Sequence, residues 1–238
     1  RRMRWEPVYE ATQIKGDGEA HPLLSPDDAF ADYETWDAGN LDLSEAKKPE
    51  MLQYEYARSA LKNGLLLESR HGTNPFKFGM IGSTDSHTSM STAQEDNFFG
   101  KHSGVEPEEH RWEHLVIEAP DPELSIYGWK QAAAGLAGVW AQENTREEIF
   151  AGMQRKETYS TSGVRIKARL FGSWEFSPEL LKQEDWVKSA YDEGVPMGSE
   201  LPATAAAKAD NAGGAVEGAV SVAPGVWLYR MTKNGLAL

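Results

Sequence analysis

Residues 78–82 (FGMIG) are a short apolar run set between turn-forming residues, and Gly82-Ser83-Thr84-Asp85-Ser86-His87 follows at once. A run of this length bounded by turns reads as a strand buried on both faces, as in a parallel sheet. Parallel neighbours cannot be joined by a tight turn; they need a crossover of a dozen or more residues, usually a helix. Further elements are expected upstream. Residues 7–14 (PVYEATQI) alternate enough for a strand, and Lys15-Gly16-Asp17-Gly18 is a turn. Ser25-Pro26-Asp27-Asp28 has the cap, proline and early acids that predict a short helix through Phe30 and Tyr33. A longer helix is expected from Glu50 to Asn63, with Tyr54, Ala57 and Leu61 in its apolar stripe and Gly64 as its stop.

Downstream, residues 83–114 are polar and nearly aperiodic, as a functional or disordered loop is. Asn144 with Glu147 forms a capping-box pattern that predicts a helix to about Lys156. Val164, Ile166, Ala168 and Leu170 alternate with Arg165, Lys167 and Arg169, which predicts a half-buried strand. From Ala203 to Ala223 the chain is rich in alanine and glycine, and a linker or weakly ordered tail is expected. The pattern is an α/β chain, alternating helix and strand to about residue 156 and β-rich afterwards.

Composition removes several functions. With 37 acidic against 24 basic residues the formal charge is −13, the reverse of the basic footprint that a nucleic-acid binder needs. Cysteine is absent, so there is no thiolate nucleophile or thiolate metal site. No apolar stretch is long enough to span a membrane. The opening residues, Arg1-Arg2-Met3-Arg4-Trp5, carry no signal-peptide pattern and read as the middle of a protein, which leaves cytoplasm and periplasm both open. Nothing in the composition sets an oligomeric state.

The chemistry concentrates after the FGMIG run. Asp85 and His87 offer a hard carboxylate oxygen and a borderline imidazole nitrogen two residues apart, both used by Zn, Mn and Fe. Barrel enzymes place their chemistry at such strand ends. The plain alternative is a turn, which Asp and Ser favour. In Lys15-Gly16-Asp17-Gly18-Glu19-Ala20-His21, Lys15 is suited to contact a small anionic substrate, and Glu19 and His21 to act as outer ligands or proton carriers; a surface turn is the competing reading. The run from Glu95 to His102 is a candidate lid, with His102 its most useful polar group. His110-Arg111-Trp112-Glu113-His114 has the spacing of inverted zinc proteases, but that chemistry requires a helix and the run abuts the strand-like Leu115-Val116-Ile117. Arg165, Lys167 and Arg169 form a basic stripe, read either as a solvated face or as an anion contact.

Residues 76–102 (FKFGMIGSTDSHTSMSTAQEDNFFGKH), 135–166 (GLAGVWAQENTREEIFAGMQRKETYSTSGVRI) and 10–34 (EATQIKGDGEAHPLLSPDDAFADYE) resemble a bacterial family known as domain of unknown function 3604. That family is similar to the polymerase-and-histidinol-phosphatase (PHP) superfamily of metal-dependent phosphoesterases. The resemblance covers about residues 5–202 and places Asp85 and His87 at the superfamily's closing Asp-x-His metal motif. It implies the C-terminal part of a distorted PHP-type β/α barrel in residues 1–156, a β-rich extension over 157–202 and a tail over 203–238. It further implies a metal-dependent hydrolase, phosphoester-type by analogy, with divalent ions and a metal-bound hydroxide as nucleophile. The superfamily's first motif, His-x-His, is absent: none of the six histidines lie two positions apart. Half a ligand set implies weak metal retention and an inactive fragment. The alternative is a non-catalytic fragment or binding module that keeps the barrel's shape.

Overall fold

A computed structural model of the chain describes residues 1–35, 37–88, 96, 108–131, 135–201, 215–223 and 226–232, the last two segments as backbone. The protein is α/β. Helix α1 (Arg2–Trp5) precedes β1 (Val8–Gln13) and β2 (Gly16–Asp17), which are followed by α2 (Pro49–Leu52), α3 (Ala57–His71) and β3 (Gly79–Gly82). Next come β4 (Leu115–Ile117), β5 (Ile126–Tyr127), β6 (Gly135–Val139), α4 (Arg146–Arg155) and β7 (Thr158–Ser162). The order closes with β8 (Arg169–Ser173), α5 (Trp186–Glu193), β9 (Val195–Pro196), β10 (Ala215–Ala223) and β11 (Val226–Thr232). Among the described residues the strands make small sheets, ordered β2-β1-β3, β4-β5, β6-β7 and β10-β11-β8-β9, and no closed barrel.

Two compact units share the chain: residues 1–138 with 159–165, and residues 139–158 with 166–238. In the first, β1 and β3 pair in parallel, Val8 opposite Gly79 and Glu10 opposite Ile81, with a bulge between Glu10 and Thr12. Helix α3 lies between them in sequence, so the FGMIG strand has its helical crossover. The ladder runs on past the strands: the Ser83 N–H donates to the Thr12 carbonyl (3.1 Å), and the Ile14 N–H to that of Thr84 (3.1 Å). Ile14, fully buried, anchors this end. A separate small core joins Leu43, Ala119 and Ile126.

The helices differ from expectation in three instructive places. Glu50–Asn63 is two helices broken at residues 53–56, and the second passes straight through Gly64 to Gly72, whose φ of 68° makes the left-handed stop. Gly64 is buried because α3 presses on Asn74 there; any Cβ would run into that amide. Second, residues 25–34 form turns instead of a helix, with the Asp28 carboxylate accepting from the Phe30 N–H (3.0 Å) and tied to Arg58 (2.7 Å). A short polar side chain that satisfies a nearby backbone donor competes with the helix in whose first turn it was expected. Third, α4 is capped one residue later than Asn144, by the Thr145 hydroxyl accepting from the Glu148 N–H (3.3 Å).

In the second unit β8 starts only at Arg169. Val164 and Ile166 are exposed, so the alternation seen there is not a half-buried strand. Pairing begins where β11 lies alongside in parallel, Val226 opposite Arg169. Phe171, Phe176, Leu180 and Ala190 form this unit's core, with Trp186 and Val187 of α5 packed on it. The segment 203–238, expected as a weakly ordered tail, includes β10 and β11, which pair antiparallel.

Candidate metal centre

Parallel pairing decides what meets at the site. Because β1 and β3 run the same way, their C-terminal ends coincide, and residues seventy positions apart in sequence come together there. The Lys15 ammonium pairs with Oδ2 of Asp85 and also donates to the Gln13 side-chain carbonyl (3.1 Å), which accepts from the Lys15 backbone N–H as well (2.8 Å). The other carboxylate oxygen of Asp85 faces Nε2 of His87 at 3.0 Å. Asp85 is held at φ 48°, a left-handed conformation that only Gly adopts freely and Asp tolerates better than most residues. Strained backbone of this kind clusters at functional sites.

A second row supports the first. Ser83 Oγ donates to the Glu10 carboxylate, and the Gln13 amide donates to Glu10 (3.5 Å). Residues 10 and 13 would point to opposite faces of a regular strand, and the bulge between Glu10 and Thr12 brings them together. Underneath, β6 approaches so closely that neither Gly135 nor Gly82 has room for a Cβ: one would meet the Thr12 and Ser83 carbonyls, the other the Leu136 carbonyl at 2.6 Å. The strand ends carrying the site therefore rest on backbone.

The other residues anticipated near this site have different partners. Glu19 pairs with Arg58 (2.7 Å), which also holds Asp28. Buried His21 sets Nε2 2.7 Å from Asp37, while its Nδ1 accepts from the Leu23 N–H (3.1 Å). Its ring lies 5.2 Å from that of Tyr56. Between these groups Asp17 is pushed up to about 6, first by burial and then by the Glu19 charge, against backbone hydrogen bonds that lower it. Burial also raises Tyr9 and Tyr56, reinforced by nearby carboxylates. His102 lies outside the described residues. His110 and His114 flank a 3-10 turn, Arg111–Glu113, and pair with Glu109 (3.3 Å) and Glu108 (3.2 Å), so the protease-like spacing is not on an α-helix. A cavity of about 310 Å³ lined by Tyr9, Tyr56, Phe76 and Phe78 lies where β1 and β3 begin, away from Lys15 and Asp85.

Sequence reasoning missed Gln13, Glu10 and Ser83. Gln13 and Glu10 belong to the strand it recognised, but their convergence depends on a bulge that alternation does not encode.

As metal donors, Asp85 and His87 fit in part. Two donors each about 2.0–2.2 Å from one ion stand roughly 3 Å apart, as Asp85 Oδ1 and His87 Nε2 do. Among the described residues no group of three or more His, Asp or Glu side chains surrounds a common point. The site thus combines an imidazole, a carboxylate and an ammonium at the end of a parallel strand in an α/β chain. The chain belongs to the family described as protein of unknown function DUF3604, whose model matches residues 1–212. Neither the curated proteins nor the solved structures give a match to it. No helix among the described residues is long and apolar enough to cross a membrane.

Proposed function

We propose that this chain contributes part of the active site of a metal-dependent hydrolase acting on phosphoesters, with Asp85 and His87 as two of the metal donors. The observation that carries the reading is their convergence, 3.0 Å apart, at the C-terminal end of a parallel strand. Strand ends of this kind are where β/α barrels keep their chemistry, and the parallel β1–α3–β3 unit is a piece such a barrel would use. The resemblance to PHP phosphoesterases supplies the substrate class, a warrant by analogy.

A bound divalent ion would supply Lewis acidity toward a phosphoryl oxygen and lower the pKa of water. The chain's own groups do the positioning. Lys15 holds Oδ2 of Asp85, which leaves Oδ1 directed at His87. Gln13 in turn fixes Lys15. An ammonium so placed also offers donors to the oxygens of an anionic substrate.

One observation favours a second reading, a binding module without catalysis: the Lys15 ammonium already supplies the countercharge that Asp85 needs. Divalent-metal loading followed by dialysis and elemental analysis separates the two. The hydrolase reading expects Asp85→Ala to retain less metal than the unsubstituted protein and, in a longer protein that supplies the remaining ligands, to lose phosphoester turnover. Equal metal content in the two proteins contradicts it.

A further inference from the structure

We infer that the second unit holds a site for a small organic oxyanion with an apolar body, its anionic group taken by the Arg169 guanidinium. The site is a cavity of about 720 Å³ whose lining includes Trp140, Arg155, Glu157, Arg169, Tyr191 and Ser199. Its polar groups form a directed chain. Glu157, 5% exposed, accepts from Arg155 Nε at one oxygen (2.8 Å) and from the Tyr191 hydroxyl at the other (2.6 Å). With its hydroxyl hydrogen directed at Glu157, the Tyr191 oxygen accepts from Arg169 Nη2 (2.8 Å). Arg155 thereby compensates the buried carboxylate, and the charge of Arg169 is left over. Glu148 of α4 adds a further negative charge near Arg155.

Arg169 is poised rather than paired. Its guanidinium lies over three rings, Trp140 at 4.2 Å, Tyr191 at 5.3 Å and Phe171 at 5.6 Å. Phe171 is within reach because residues two apart on β8 share a face. Trp140 is itself fixed, its indole N–H donating to the Ala168 carbonyl (2.9 Å). Among the described residues no carboxylate forms an ion pair with Arg169, and its buried Nε has no hydrogen-bond partner. An unsatisfied buried donor on a cation is costly, and a carboxylate or phosphate oxygen removes the cost. Stacking holds the planar fork in advance, so little rotamer entropy remains to be lost on binding. In a chain of formal charge −13 a cavity with two guanidiniums and one carboxylate stands apart electrostatically. The indole face and Pro196 offer apolar surface for the rest of the ligand.

The test is calorimetric titration with phenyl phosphate and with benzoate in EDTA, which keeps metal ions out of both arms. Saturable binding of at least one probe is expected, and the stronger arm identifies the anion. Arg169→Gln should weaken it by about tenfold or more, the range of a lost charge-assisted hydrogen bond. Lys167→Gln should leave it unchanged, because that exposed side chain does not line the cavity. Should Arg169→Gln fail to fold, the Nε–H resonance of Arg169 in 15N-labelled unsubstituted protein reports directly, and it should shift as phenyl phosphate or benzoate is added. Absence of saturable binding in both arms, equal binding by Arg169→Gln, or an unmoved resonance overturns the site.

Discussion

Nε2 of His21 stands 2.7 Å from Oδ2 of Asp37, and Nδ1 of the same ring accepts the Leu23 N–H at 3.1 Å. A nitrogen that accepts cannot carry the proton, so in the neutral ring the hydrogen is on Nε2 and points at Asp37. Both nitrogens are engaged, which makes His21 a buried clamp on the turn after β2. His21→Ala should cost about 1–3 kcal/mol, since it empties a buried ring site and removes two hydrogen bonds. Urea unfolding measures the loss. If divalent-metal affinity falls while stability holds, His21 is a ligand and not a clamp.

Asp17 gives the fold a pH dependence of unusual sign. Burial raises its folded value from 3.8 to about 6, so the folded chain holds this proton more tightly than the unfolded one. Its contribution is fully present below about 4, is lost as pH rises through about 6, and is level above that. Most paired carboxylates tilt stability the other way. The informative quantity is therefore the difference between the unsubstituted protein and Asp17→Asn, followed by urea unfolding from pH 4 to pH 8. That difference should grow in favour of Asp17→Asn as pH rises to about 6 and then level off. A flat difference would show that Asp17 titrates normally.

Two glycines of one helix separate crowding from backbone strain. Gly64 presses on the Asn74 amide, whereas Gly72 has open space and a φ of 68°. Gly64→Ala should cost about 1–3 kcal/mol through overpacking. Gly72→Ala should cost about 1 kcal/mol through the left-handed conformation. Equal stability of Gly64→Ala and the unsubstituted protein in thermal melts would mean that Asn74 moves aside freely.

Lys15 competes with any cation for Asp85. Lys15→Met should raise divalent-metal affinity by about threefold or more, because it removes a positive charge in contact with the carboxylate. Isothermal titration with Mn2+ reads this directly. A fall in affinity would mean that the positioning of Asp85 by Lys15 outweighs the repulsion between the ammonium and the metal ion.

What the sequence made legible is what short-range pattern encodes. The apolar run before Gly82 and the alternation of residues 7–14 gave two strands, and a parallel pairing requires the helix that intervenes. The ends of α3 were misread because Gly64 and Gly72 look alike in sequence; only Asn74, folded against one of them, distinguishes a packing glycine from a stop. The site divides in the same way. Asp85 and His87 are two residues apart and visible as a pair, and Lys15, on the turn after β1, meets Asp85 through the fold. Glu19 and His21 belong to that same turn, yet they face Arg58 and Asp37, partners that only the tertiary fold supplies. Arg169 appeared in the sequence as one member of a basic stripe, and its separation from exposed Arg165 and Lys167 comes from the late start of β8 and the rings around it.

Titration with Co2+, followed by visible absorption, addresses the shared cation most directly, because the bands report the donor atoms themselves. Saturable bands should appear in the unsubstituted protein, and His87→Ala and Asp85→Asn should each weaken binding and alter the spectrum. Bands that are absent from the start, or identical in all three proteins, would contradict a metal held between these two side chains.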